Sequence, residues 1–91
     1  MVTDKDSFRV ALNDVLDYIA QDSLEKAINF KRELQSKLDT IAYMPYKYRK
    51  SIYFDNNEIR DYIFKGYTIP YLIDADNNEL VILDIFKWIN K

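Results

Sequence analysis

Two helix-period stripes followed by three strand-period runs predict an α+β domain, a helical hairpin packed on an antiparallel sheet. In the first stripe Phe8, Leu12, Val15, Leu16 and Ile19 recur at spacings of three and four. Ala11 and Tyr18 widen it, and any of Asp4, Asp6 and Ser7 can cap its start. Gln21-Asp22-Ser23 interrupts the pattern. Asp22 with Glu25 has capping-box spacing, and Ser23 is an alternative cap one position later. The second stripe runs through Ala27, Phe30, Leu34, Leu38 and Ile41, and Pro45 ends it near Tyr43 or Met44. So short a break makes the two helices antiparallel neighbours.

The period then changes to two. Residues 58–65 form one strand candidate, closed by Gly66, where φ > 0 costs little. Residues 67–74 form the second, with Tyr67, Ile69, Tyr71 and Ile73 on one face. Asp76-Asn77-Asn78 supplies hairpin-turn chemistry before the third, residues 79–88, with Val81, Leu83 and Ile85 on one face. Residues 45–57 read as a long loop with at most a short strand at 51–54, and Pro70 predicts a bulge or break in the middle strand. The expected core is Phe8, Leu12, Leu16, Ile19, Phe30, Leu34, Leu38, Tyr71, Ile73, Val81, Leu83 and Ile85. All 91 residues are assigned to a single domain, 1–91.

On the second sheet face, alternation places Thr68, Pro70 and Leu72, then Ile82, Asp84, Phe86 and Trp88. An antiparallel sheet open to water usually turns polar residues outward, so Leu72, Ile82, Phe86 and Trp88 together imply a partner surface. The alternative is that the long loop or the C-terminal tail folds over them. From the first strand either Ile59, Asp61 and Ile63 or Arg60, Tyr62 and Phe64 belong to this face, both sets being mostly apolar. The first choice would set Asp61 across from Asp84, and solvated carboxylates are the ordinary outcome for such a pair.

Composition narrows the chemistry. The absence of Cys and His excludes zinc fingers, disulfide frameworks, thiol nucleophiles and Ser-His-Asp triads. One glycine, Gly66, cannot build a phosphate-cradling loop. No membrane-length apolar run or signal peptide is present, so a cytoplasmic protein without metal, cofactor or membrane partner is expected. Residues 23–50 carry seven bases against three acids, and residues 51–91 four bases against seven acids. With net charge −2, nucleic-acid contact could only be local. The candidate for it is Tyr46-Lys47-Tyr48-Arg49-Lys50, which interleaves rings with cations, although tyrosines tucked against the domain are the commoner outcome. Lys31 falls inside the apolar arc of the second helix, where a lysine snorkels to the edge.

Several stretches in this order resemble the RelE/ParE superfamily of toxin–antitoxin toxins. They are Val15-Leu16-Asp17-Tyr18-Ile19-Ala20, Asp22-Ser23, Ala27 and Phe30, Met44-Pro45 with Arg49, and Ile59-Arg60. The fullest match is Gly66-Tyr67-Thr68-Ile69-Pro70-Tyr71-Leu72-Ile73-Asp74, followed by Ile82-Leu83-Asp84-Ile85-Phe86. The resemblance implies a fuller opening strand, yet only Met1-Val2-Thr3 precedes the first helix, so a stunted strand or a late start is expected. It also implies a cognate antitoxin, for which Lys26, Lys31, Lys37, Leu72 and Ile82 are the candidate contacts. RelE-like members cut mRNA on the ribosome with basic residues. This chain has Ile59 and Asp61 where they place lysines, and Thr68 and Trp88 where they place arginines. ParE-like members act on DNA gyrase by contact, which this chain suits better. The expected target contacts are Phe86, Lys87, Trp88, Lys91, Tyr48 and Arg49. Two alternatives remain: an mRNA endoribonuclease using Arg60, Lys65, Tyr67 and Lys87, and a non-toxic relic that only binds an antitoxin.

Overall fold

The computed structural model describes residues 2–87. In order come β1 (Val2–Asp4), α1 (Asp6–Asp22), α2 (Leu24–Ile41), a 3₁₀ turn (Pro45–Lys47), β2 (Ile59–Phe64), β3 (Tyr67–Asp74), β4 (Glu79–Ile82) and β5 (Phe86–Lys87). The strands form one sheet ordered β1-β4-β3-β2, with β5 pairing β3 beyond the end of β4. The expected antiparallel meander is there, and β1 adds a parallel edge, Val2 to Asp4 lying beside Leu80 to Ile82. The sheet is therefore mixed. Among the described residues no helix is long and apolar enough to cross a membrane.

Neither Asp4, Asp6 nor Ser7 caps α1. Its N-cap is Lys5, which makes no side-chain cap bond. The helix start is fastened to the sheet instead, Lys5 N–H donating to the Ile82 carbonyl (2.9 Å) and Ser7 Oγ to the Leu83 carbonyl (2.7 Å). Ser23 holds the hairpin corner in an extended conformation, and its Oγ accepts from Lys26 N–H (3.2 Å). That leaves the Asp22 carboxylate to pair with Lys26 Nζ (2.8 Å), lowering the acid's pKa and raising the lysine's. The second helix ends at Ile41, where tighter turns from Thr40 and Ile41 carry the chain to Pro45.

The core lies between the hairpin and one sheet face. Phe8, Phe30, Leu34, Leu38 and Ile41 meet Tyr62, Phe64, Ile69, Tyr71, Ile73, Leu80, Ile82 and Ile85. Phe30 is the aromatic hub, edge-on to Phe64 (5.2 Å between centroids) and to Tyr67 (5.6 Å). Leu12, Leu16 and Ile19, expected in the core, pack against its margin and are partly buried. The Lys65-Gly66 turn places both central residues at positive φ (49° and 85°), the geometry of a tight hairpin. Lys65 is steadied there by Glu33, with its Nζ 2.6 Å from Oε2.

The third predicted strand needs the main correction. It is two strands, broken at residues 83–85. Tyr71 pairs with Ile82 and Thr68 with Phe86, so Ile69 and Pro70 oppose the longer stretch Leu83-Asp84-Ile85. The extra residue is a bulge, and it lies where Pro70 has no N–H to offer; the Pro70 carbonyl still accepts from Leu83 N–H (2.9 Å). A one-residue insertion reverses side-chain parity. Leu80 and Ile82 therefore point into the core with Ile73 and Tyr71, while Val81 shares the second face with Leu72. Ile82, expected on an exposed docking face, is fully buried, and Val81 and Leu83 are only half-buried. Past the bulge the expected parity returns: Ile85 is core and Phe86 lies on the second face opposite Thr68.

Tyr71 ties this core to the loop, its hydroxyl donating to the Pro45 carbonyl (2.5 Å). Burial pushes its pKa well above the ordinary tyrosine value, with the nearby Arg60 charge pulling slightly the other way. A phenol whose folded pKa is raised gives stability that is complete below the unfolded value and lost as pH rises through the folded one. Stability should fall above about pH 10. In Tyr71→Phe that alkaline slope should flatten, at a cost of about 1 kcal/mol at neutral pH for the lost hydrogen bond. Urea melts across pH 8 to 11 check both; an unchanged slope would remove Tyr71 as its source.

Candidate target-contact surface

The second sheet face is not open. It carries Ile59, Asp61 and Ile63 from β2, Thr68, Pro70 and Leu72 from β3, Val81 from β4 and Phe86 from β5. Residues 49–54 form a strap that runs beside the free edge of β2 and then turns over this face. Lys50 bridges Arg60 in antiparallel fashion. On either side of that bridge Ser51 N–H donates to the Ile59 carbonyl (2.8 Å) and Asp61 N–H to the Arg49 carbonyl (3.1 Å). Asp61 Oδ2 accepts from Ile52 N–H (3.2 Å) and lies 3.7 Å from Arg49 Nη2. Tyr53 sits edge-on to Phe86, with centroids 5.0 Å apart. Under this cover Ile59, Asp61, Thr68 and Pro70 are buried and Leu72 is half-buried. Covering by the long loop, the alternative weighed for this apolar face, is what the structure contains. The predicted short strand at 51–54 reduces to the single Lys50–Arg60 bridge.

What the sheet conceals, the strap displays. Ile52, Tyr53 and Phe54 are exposed, Tyr53 on the side away from Phe86, next to a face that also leaves Ile63 exposed. Sequence reasoning did not single out these three as contacts. The run of β-formers in Ser51-Ile52-Tyr53-Phe54 was the available signal, but only the bridge register decides which groups face out.

The remaining candidates separate into three places. At the turn end of the β2–β3 hairpin Lys87 stands opposite Tyr67, its Nζ 6.0 Å from that ring and 5.9 Å from the exposed ring of Tyr18. Lys65 lies at the turn of the same hairpin, held by Glu33. Arg60 is elsewhere. It pairs across from Tyr71, four residue steps from Tyr67, or about 13 Å along the strand, and it faces the helix side. There its Nη1 donates to the Tyr48 carbonyl (3.0 Å) and its guanidinium covers the Tyr46 ring (5.1 Å). The structure thus brings together Tyr67, Lys87 and Lys65 and keeps Arg60 apart.

Tyr48 packs edge-on against Tyr62 (5.0 Å) and is half-buried, so the aromatic-cation loop is tied into the domain through its second tyrosine. Arg49 faces Asp61, with its side chain partly exposed. Asp61 and Asp84 do not face each other: β3 runs between them, and Asp84 Oδ1 accepts from the adjacent Ile85 N–H (2.8 Å). Trp88 and Lys91 lie outside the described residues.

On the helical side Lys26, Lys31 and Lys37 are all exposed. Lys31 lines a cleft of about 290 Å³ between α1 and α2, with Phe8, Leu12, Leu34 and Leu38 as its apolar wall.

A family model described as the ParE toxin of the type II toxin–antitoxin system parDE matches residues 5–87. Among solved structures, one from the chromosomal ParDE system of P. aeruginosa is similar, with a TM-score of 0.75 at 13% identity. The alignment covers 97% of this chain and 95% of that one. No curated protein sequence matches the chain. The shared architecture reaches from the helical hairpin to β5, and the family match spans nearly all the described residues. The chain belongs to the ParE toxin family of type II toxin–antitoxin systems.

Proposed function

We propose that this chain is a growth-arresting toxin that inhibits DNA gyrase by protein contact and is neutralised by a cognate antitoxin. The observation carrying this reading is the second sheet face. Where mRNA-cutting relatives are expected to gather lysines and an arginine, this chain buries Ile59, Asp61 and Thr68 beneath its own strap. Cleavage at a ribose hydroxyl needs a base, a proton donor and cations around the phosphorane, and a buried carboxylate opposes the last of these. Contact with a protein needs only anchoring side chains on a supported surface, and Phe86, Lys87 and the strap's aromatic residues are of that type.

One observation favours the endoribonuclease reading: Tyr67 and Lys87 are cross-strand neighbours, with Lys65 at the same end. Induced expression followed by mapping of mRNA ends on ribosomes separates the two. Growth arrest with intact ribosome-bound mRNA supports the gyrase reading. Cleavage that disappears in Lys87→Ala and Tyr67→Phe would replace it with the endoribonuclease.

For the antitoxin, the exposed lysines Lys26, Lys31 and Lys37 of the second helix suit an acidic, amphipathic segment that orders on binding. Lys26 and Lys37 are eleven residues apart, three turns along one helical face. Reversing both charges should slow association about tenfold at low salt while changing dissociation less. Stopped-flow mixing with the antitoxin checks this, and an unchanged on-rate would move the docking site off that face.

A further inference from the structure

We propose that the strap at residues 49–54 is a displaceable cover, and that its opening is what presents Phe86 and the sheet face to the target. The proposal rests on the gyrase reading for the identity of that target, but not for the opening itself.

Three features point to a segment held shut rather than built in. The first is the direction of its side chains. A loop that simply completed a core would turn its apolar groups inward, whereas Ile52 is 66% exposed, Tyr53 41% and Phe54 40%. Over the face the strap's contacts are the Ile52 N–H on Asp61 and the edge of the Tyr53 ring on Phe86.

The second is the state of the groups beneath. Asp61 Oδ1 and Thr68 Oγ1 are buried without a hydrogen-bond partner in the protein. They belong to adjacent strands on the same sheet face, since Asp61 pairs with Pro70 and Ile63 with Thr68. Closure therefore leaves two polar groups uncompensated, and opening would hydrate both.

The third is how little holds the strap down. Its backbone ties to the sheet are the Ser51–Ile59 and Arg49–Asp61 hydrogen bonds, and a single carboxylate, that of Asp61, receives Ile52 N–H and faces Arg49. At 3.7 Å the Arg49 contact is an ion pair rather than a hydrogen bond. On the apolar side, Tyr53 covers Phe86 edge-on. Asp61 is thus the latch, and Phe86 is the anchor that the latch keeps partly hidden.

Opening restores water to Asp61 and Thr68 and uncovers Phe86, Pro70 and Leu72 as one apolar face. A partner that takes up that face supplies the burial that the strap gives up. Closed, the same strap keeps a contiguous apolar patch from sticking to unrelated surfaces.

Native-state hydrogen exchange and a reversible crosslink test this together. In the wild-type protein the amides of Ser51, Ile52 and Asp61 should exchange as a group, about 100-fold or more faster than Leu34 in the middle of α2. Asp61→Asn keeps an acceptor but removes the charge facing Arg49. It should speed exchange at Ser51 and Ile52 about tenfold further and leave Leu34 unchanged.

The chain has no cysteine, so Lys50→Cys with Arg60→Cys gives a single possible disulfide. Antiparallel partners such as these have Cα atoms about 4.5–5.5 Å apart, within disulfide reach. The oxidised form should inhibit gyrase at least tenfold less well than the same protein reduced, and recover on reduction. Strap amides that exchange no faster than Leu34 would overturn the proposal, because the strap would then open only with global unfolding. So would an oxidised form as inhibitory as the reduced one. If the wild-type protein leaves gyrase untouched, the target reading fails, and the exchange measurements still decide whether the strap opens.

Discussion

Leu34→Ala is expected to destabilise the domain by about 2–5 kcal/mol, the largest effect of any single truncation considered. Leu34 is 1% exposed at the centre of α2, between Phe30 and Leu38 on the stripe that meets the sheet. Truncation removes apolar contacts from a site whose neighbours are fixed by the ring packing of Phe30 on Phe64 and Tyr67. Those rings cannot slide into the space without breaking their own edge contacts, so collapse will be partial. Against a typical total of about 5–15 kcal/mol for a small domain, the loss is a substantial share of the stability. Urea unfolding should show a lower midpoint with an unchanged slope. A cost below about 0.5 kcal/mol would mean that the hairpin does not depend on this stripe.

Phe86→Ala should weaken inhibition of gyrase by about 30-fold, the effect of a centrally placed aromatic anchor worth about 2 kcal/mol. The ring is half-buried, touches Tyr53 and lies opposite Thr68, outside the helix-facing core. Its removal should therefore lower the melting temperature by only a few degrees. The two readouts must be taken together. Activity that falls only in proportion to the folded fraction would make Phe86 a packing residue and shift the contact to the strap or to Lys87. Lys87→Ala should have the smaller effect, since its contacts with Tyr18 and Tyr67 are surface cation–π contacts worth about 0.5–1 kcal/mol.

Local patterning carried most of this fold. The Phe30-Leu34-Leu38 stripe, the Ser23 corner, the Gly66 turn and the Tyr71-Ile73 face are each set by nearest neighbours along the chain, and each lies where its pattern implies. The face of β4 was not legible in this way. Leu80-Val81-Ile82-Leu83 is apolar on both parities, so alternation offers no choice, and the deciding fact is a bulge set by Pro70 on another strand. The parallel pairing of β1 was equally out of reach, because three residues carry no period and their partner lies more than seventy positions away. For the candidate surface, Phe86 and Lys87 were legible because they follow a strand whose partner begins at the Gly66 turn. The strap was not. Its place depends on the Lys50–Arg60 bridge and on Asp61 drawing Ile52 inward by its backbone, which are tertiary contacts that no local spacing encodes.

The central claim is that this ParE-family chain acts by contact with gyrase. It is tested most directly by titrating purified gyrase with the purified chain in a DNA supercoiling assay. Supercoiling should fall as the chain is added, cleaved DNA–gyrase complexes should accumulate, and Phe86→Ala should need about 30-fold more protein for the same effect. Full supercoiling at saturating chain, alongside mRNA cleavage on ribosomes by the same preparation, would contradict it.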